Sequence, residues 1–410
     1  MRSRLLRKLA FLFVTSVGSL LLPGCFDIQE VDDMNIVIAL GIDRTDDGLV
    51  RVTAQLVNPD AAPSAGGSGS GSGEGSGKGG APFIIREETG TIIEDAMDKF
   101  KADVPHLMYL AHNTVLVFGS DYAKQGIDGA LDYFERNRYF RRNQLFLVTP
   151  GQAQDVLSAP SEPEPLNALG LRALVEQIGE MFRVVNSEQL EVMKEYLSPS
   201  QASVLSLVDR GATGHILMKG VALFRGAKMV DVLTVDETKG LAWLMMDTRQ
   251  VVIPLPCDAK DGDVGSAVRL LGSHTQVIPR FGSDGVSFLV KVQARAEIDR
   301  LCPNDRLSEK TYQQLEQKTA KYMERHMQAV MTKLQADDVD ACQFGTRLFI
   351  EDPHTWRQIS AQWPAYFARA QVRCNVRVHI TRTALSSNTP ESAASRSGLA
   401  PPAGRGVITQ

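Results

Sequence analysis

Residues 9–22 are the one apolar run in the sequence that approaches the length of a membrane span, and everything after them must be read in its light. As helix, that run covers only about 21 Å, short of the roughly 30 Å hydrocarbon core of a bilayer. Arg2, Arg4, Arg7 and Lys8 precede it, so residues 1–24 read as an export signal with a charged start and a short apolar centre. The run stops at Leu22-Pro23-Gly24-Cys25, which looks like a bacterial lipobox whose cysteine thiol takes a diacylglycerol. Two acyl chains, at about 0.8 kcal/mol per buried methylene, exceed what a single chain needs for marginal attachment. Cys25 is therefore the expected lipidation site, and the body behind it is expected to be tethered on the extracytoplasmic side without spanning. A polytopic transporter or channel is excluded, because no second run of that length follows.

The 410 residues carry 44 Lys and Arg against 48 Asp and Glu, and loss of residues 1–24 would leave 40 against 48. Such an acidic body has no basic surplus to hold a phosphate backbone by counterion release, so nucleic acid is not an expected partner. Charge would not draw the body as a whole to an anionic lipid surface either. At 43% hydrophobic residues the chain can fill the cores of two or three domains.

Patterning shows helices and strands intermixed. Met34 to Ile42 is nearly continuous in apolar residues, and Val50 to Leu56 alternates, which predicts a hairpin around Asp46-Asp47-Gly48. Residues 64–80 hold nine Gly and five Ser, the composition of a flexible loop insert. Thr91 to Glu94 has capping-box spacing and starts a helix carrying Ile92, Ile93, Ala96, Met97 and Phe100, with Pro105 as its stop. Short strands are expected at Thr114–Phe118 and Gln144–Val148, with one helix, Tyr122–Phe134, between them. A further helix is expected over Leu166–Phe182, and Leu190–Ser206 fits either state.

A second module is read from Gly220: a hairpin with its turn at Gly226, a helix carrying Leu241, Trp243 and Leu244, and a strand at Val251–Leu255. The most regular alternation runs from Phe288 to Ile298. Leu307 and Tyr312 flank Ser308 as a hydrophobic staple, which opens a helix reaching about Gln335. A shorter helical pattern covers Trp356–Phe367 with Pro364 inside it, and Val372 to Ile380 alternates as a last strand. Residues 387–410 are rich in Ser, Ala, Pro and Gly and are expected to be a disordered tail.

Residues that carry chemistry are sparse. There is no tight CxxC or HxxxH pair for zinc, and His106 and His112 are read as structural. No GxSxG elbow, phosphate loop or dinucleotide fingerprint occurs, so the chain is read as non-enzymatic, with no cofactor and no metal site. Asp32 and Asp33, and Asp337, Asp338 and Asp340, read as solvated turns, where Asp is frequent for backbone reasons. Cys257, Cys302, Cys342 and Cys374 would permit two disulfides in an exported chain, but Cys374 lies on the apolar side of its strand and buried free cysteines are the favoured reading. Arg136, Arg138, Arg141 and Arg142 form the one basic cluster, read as a solvated face with docking to an acidic partner or a lipid head group as the alternative.

The order of these features resembles the Ger(x)C family, the lipoprotein C subunits of bacterial spore germinant receptors. After Cys25 come Phe26-Asp27, Glu30-Val31, Gly41-Ile42-Asp43 and Val57-Asn58-Pro59, similar to the family's N-terminal signature. Gly90-Thr91-Ile92, His112-Asn113, Leu131 to Phe134 and Arg138 to Asn143 follow in the family's order. Gly220 to Phe224, Glu237 to Leu241 with Trp243-Leu244, and Pro256-Cys257 are similar to its C-terminal region. Phe26 stands where the family usually has Trp, and the Gly/Ser tract is an expansion.

The resemblance implies an α/β (α+β mixed) fold of three domains, each a mostly antiparallel or mixed β-sheet flanked by helices. The corresponding division is a 1–24 signal peptide, an N-terminal domain 25–200 with its insert at 64–80, a middle domain 201–265, a C-terminal domain 266–386 and the tail. It further implies a non-catalytic subunit on the outer face of the spore inner membrane, anchored through Cys25 and working with two membrane-integral receptor subunits. The competing readings are a solute-binding lipoprotein of an importer, which should show two similar βαβ lobes around a cleft, and an anchored envelope hydrolase.

Overall fold

The computed structural model describes residues 34–59, 61, 81–160, 163–257, 265–282, 285–302 and 305–383. Cys25, the signal, Asp32 and Asp33, the Gly/Ser tract and the tail lie outside the described residues. The first half contains β1 (Met34–Arg44), β2 (Val50–Val57), β3 (Phe83–Gly90), α1 (Ile93–Asp103), β4 (Leu107–Tyr109), β5 (Val115–Gly119), α2 (Ser120–Gln125), α3 (Asp128–Arg136), β6 (Leu145–Thr149), α4 (Ala153–Leu157), α5 (Asn167–Gly179) and α6 (Gln189–Tyr196). Then come β7 (Ala202–Arg210), β8 (Ile216–Arg225), β9 (Lys228–Thr234), α7 (Val235–Met245), β10 (Val251–Leu255), β11 (Ser266–Gly282), β12 (Gly285–Arg300), α8 (Glu309–Ala336), α9 (Phe344–Glu351), α10 (Pro353–Ile359), α11 (Trp363–Arg369) and β13 (Gln371–Thr383).

The mixed α/β expectation holds, and the strands gather into two sheets. The larger runs β3-β2-β1-β5-β6-β7-β8-β9, with β4 pairing the start of β1; the smaller runs β10-β11-β12-β13. The centre of the large sheet is parallel, with Ala39 opposite Val115 and Val115 opposite Leu145. Parallel neighbours need crossovers, and the helices between β5, β6 and β7 supply them. The 201–265 stretch contributes β7, β8 and β9 to the large sheet and β10 to the small one.

Strand alternation assigns the cores. Leu205, Leu207, Ala222 and Phe224 point into one cluster with Phe118, Phe134 and Phe146, whereas Val204, Val221 and Leu223, one residue out of step, point the other way. That second face meets Trp243, Phe288, Val290, Met327 and Phe344 from the small sheet and its helices, so one continuous apolar cluster joins both halves. A third cluster, Val117, Leu147, Leu157 and Leu171 among others, fills the reverse face of the parallel strands under α4 and α5.

Several local expectations change. The helix predicted over Tyr122–Phe134 is two helices, because Gly126 sits at φ +136°, a conformation open to glycine and not to the surrounding helix. Ile92 lies outside α1 and is 56% exposed; Asp95, not Glu94, reaches back to the Thr91 N–H at 2.9 Å. The ambiguous 190–206 stretch splits into α6 and β7. The Ser308 cap and the Thr234–Glu237 capping box form as helix starts for α8 and α7. Expected free cysteines hold for Cys342 and Cys374 only: Cys257 and Cys302 form a disulfide that ties the chain just after β10 to the chain just after β12. Both lie at the same end of β11, which separates their strands.

The outer edge of β13 is covered. Glu324 Oε1 accepts the Val376 N–H at 3.1 Å and Glu316 Oε1 accepts the Ile380 N–H at 2.8 Å. Eight helical residues rise about 12 Å and four strand residues about 13 Å, so two carboxylates of α8 match two outward amides of the strand.

Candidate functional site

Two regions collect the polar groups that secondary structure alone does not use. The first is the junction between the two halves. Asp340, on the turn between α8 and α9, was read from sequence as part of a solvated Asp cluster; it is fully enclosed. Its Oδ1 accepts the Phe344 N–H at 2.9 Å. Its Oδ2 accepts the Gly345 N–H at 2.6 Å, the Ser200 hydroxyl at 2.7 Å and the Trp363 indole N–H at 3.1 Å. Burial pushes its pKa up to about 6 despite these donors. Ser200 comes from the segment leading into β7, so this carboxylate joins α6–β7 of the large sheet to α9 and α11 beside the small one. Gln343, in a left-handed conformation at φ +57°, adds two bonds across the same seam, accepting from Ser198 at 2.9 Å and donating to the Ala202 carbonyl at 2.6 Å. Gly345 is required by closeness: a Cβ there would lie 2.7 Å from the Trp363 Nε1.

Beside this seam is a cleft of about 420 Å³ bordered by Val184, Asn186, Glu195, Met245, Asp247 and Thr275. Glu195, on α6, accepts the Val204 N–H at 3.1 Å, and burial pushes its pKa up to about 7. The fold thus favours the neutral acid. Between about pH 4.5 and 7 the folded state holds more protons than the unfolded chain, so this group's contribution to stability falls as pH rises through that window. Glu195→Gln keeps the acceptor for Val204 and removes the ionisation. Discounted for the solvent in the cleft, it is expected to gain about 2 kcal/mol at pH 8 and nothing at pH 4, measured as the difference between urea unfolding curves of variant and parent.

The second region is the end of the large sheet at which β1, β5 and β6 begin. Buried amides run across it: Asn113 donates to Gln144, and Gln144 donates to Gln189 at 2.7 Å. This chain borders the loop 137–143, which carries three of the four sequence-predicted arginines, the fourth, Arg136, closing α3. Arg136 pairs with Asp132 and Arg142 with Glu135, Arg138 lies 5.0 Å from the centre of the Tyr139 ring, and Arg141 is exposed. Phe140 turns inward against Phe134, leaving Tyr139 52% exposed.

No group of three or more His, Cys, Asp or Glu that could hold a metal ion occurs among the described residues, and no helix among them is long and apolar enough to cross a membrane. Asp43 is enclosed, with a pKa pushed up to about 6 by burial, and its Oδ1 accepts the Ala153 N–H at 2.8 Å; it holds α4 against β1. His106 and His112 flank β4 and do not converge with a carboxylate pair. The sequence reading makes Asp340 part of a solvated turn, gives Asp43 no buried role and passes over Glu195, since nothing in a local stretch tells a buried carboxylate from a solvated one.

Compared with known proteins, residues 27–210 match the spore germination protein N-terminal domain, and residues 219–384 match the spore germination B3/GerAC-like C-terminal family. Spore germination protein KC of Bacillus subtilis (strain 168) is 27% identical over 93% of this chain and 96% of its own length. Spore germination protein B3 of the same organism is 24% identical over 87% and 93%. Among solved structures, the crystal structure of the GerBC protein aligns with a TM-score of 0.51 at 20% identity, covering 86% of this chain and 99% of that one, a likeness of fold.

Proposed function

Since the chain belongs to the Ger(x)C family of spore germination proteins, we propose that it is the lipoprotein subunit of a nutrient germinant receptor, required to trigger germination and acting through its surfaces. In this reading it is held by the Cys25 lipid on the outer face of the spore inner membrane and works beside two membrane-integral subunits. The observation that carries it is the pair of family matches, which together take in nearly everything between the lipobox and the tail. The Cys257–Cys302 disulfide supports the extracytoplasmic side, since such bonds persist in oxidising compartments. A non-catalytic role is supported by the carboxylates of the fold, which are spent on holding elements together. The division into domains 25–200, 201–265 and 266–386 goes with the proposal. The importer reading asks for two similar lobes, and the two sheets differ in strand number, order and direction.

The test is germinant-triggered release of dipicolinic acid from spores, with membrane fractionation, in the parent, a deletion and Cys25→Ala. Loss of release in both variants, with the Cys25→Ala protein gone from the membrane fraction, is the expected result. Normal release in the deletion with every germinant tried and no paralogue present would remove the receptor assignment.

A further inference from the structure

The parallel register of β1, β5 and β6 sets the chain segments that precede them at one end of the sheet. Met34 opens β1 there, and the arginine loop 137–143 leads into β6 at the same end. Met34 to Ile36 pair with Leu107 to Tyr109, which puts Leu107, 49% exposed, beside the point of entry. The Leu190 N–H donates to the Arg142 carbonyl at 3.2 Å, so the first turn of α6 borders the same loop. Leu190 is exposed, and Leu197, 72% exposed, is the residue that follows the last turn of α6.

This end therefore presents Leu107, Tyr139, Leu190 and Leu197 to solvent, with Arg138 and Arg141 among them. Exposed apolar side chains, an amphipathic aromatic ring and arginines are the composition that sits at a lipid–water boundary. The acidic groups nearby are largely matched: Asp132 and Glu135 by arginines, Glu191 by Lys194. Nine Cα steps separate Cys25 from Met34, a reach of at most about 30 Å. A lipid on Cys25 would hold Met34, at this end of the sheet, within that distance of the bilayer, and puts no such bound on the turn at Asp46 beyond the far end of β1.

We propose that the N-terminal end of the parallel strands, built from loop 137–143, Leu107 and the outer side of α6, is the surface the molecule lays on an anionic lipid bilayer. The acidic body is thereby oriented by a local basic and apolar patch that its net charge conceals. The proposal rests on anchoring at Cys25. Arg138 and Arg141 contribute roughly fivefold each to the population of the docked orientation near an anionic surface.

The test uses the lipidated full chain reconstituted in phosphatidylglycerol-containing vesicles doped with brominated phospholipid. Tyr139→Trp places a reporter in the loop, Asp46→Trp places one at the far end of β1, and the parent, with its own tryptophans, is the blank. Quenching of Trp at 139 but not at 46, lost on adding Arg138→Glu and Arg141→Glu, is the expected result. A chain that floats with the vesicles while neither reporter is quenched overturns the docking surface and leaves the anchor in place. Shielding of position 139 that occurs only with the other receptor subunits present assigns the surface to protein and overturns the bilayer as its occupant. A chain that does not float with the vesicles removes the anchor, and this proposal falls with it.

Discussion

Asp340→Ala is expected to cost about 3–5 kcal/mol of stability, because it strands four buried donors at once. The two backbone amides of Phe344 and Gly345, the Ser200 hydroxyl and the Trp363 indole all point at one buried carboxylate. The geometry also grades the replacements. Three of the four donors converge on Oδ2, so an Asn whose amide oxygen takes that place keeps three bonds and loses the one to Phe344. Asp340→Asn should therefore cost only about 1–2 kcal/mol. Urea unfolding followed by the fluorescence of Trp363 at the site measures both. Equal losses in Ala and Asn would mean that the negative charge, not the acceptor geometry, is what the site requires. Acid adds a separate check: with a folded pKa near 6, above that of the free side chain, this carboxylate's contribution to stability declines as pH climbs from about 4 to 6, and the Asn variant should lack that part of the decline.

Cutting the Cys257–Cys302 bond is expected to have a comparable effect. The two cysteines are 45 residues apart, and closing a loop of that length in the unfolded chain corresponds to about 4 kcal/mol of chain entropy. The residues it spans include all of β11 and β12, whose pairing is the longest in the molecule. Cys302→Ser, or the double serine variant, should lower the unfolding midpoint of the small sheet, and a thiol reductant should do the same to the parent while leaving the serine variants unmoved. A reductant that shifts all of them alike would mean that its effect does not pass through the Cys257–Cys302 bond. Ser266, whose hydroxyl accepts the Cys302 N–H at 3.1 Å, keeps the end of β12 paired near the break, so unfolding and not local fraying is the property to follow.

What was legible in the sequence and what was not divides along physical lines. The strands β12 and β13, the first hairpin and the start of α8 follow from alternation, turn residues and a cap, all of which act over a few residues; the capping box of α7 went unread. β11 was missed, since Gly272, Pro279 and a register shift between Leu270 and Gly272 break its period. Missing it hid the disulfide too, because the cysteines come together only once β11 stands between the strands they follow. The break at Gly126 looked like a helix interior, as a single glycine within an apolar repeat does. The site was less accessible still. Asp337, Asp338 and Asp340 have the composition of an open turn, and what encloses Asp340 is Ser200, 140 positions earlier, and Trp363. The arginine cluster was visible as a cluster, but its position beside the incoming chain is a property of three parallel strands and not of its own residues.

The carboxylates of Glu316 and Glu324 along β13 bear on how such molecules live side by side. Proteins confined to a surface meet edge to edge far more often than in bulk solution, and a bare strand of thirteen residues would invite one copy to extend the sheet of the next. With its outward amides at Val376 and Ile380 already taken by helix α8, that edge offers a neighbour little to grip. Under the proposed anchoring, dense packing on a membrane can then be tolerated without the small sheets growing into a fibre.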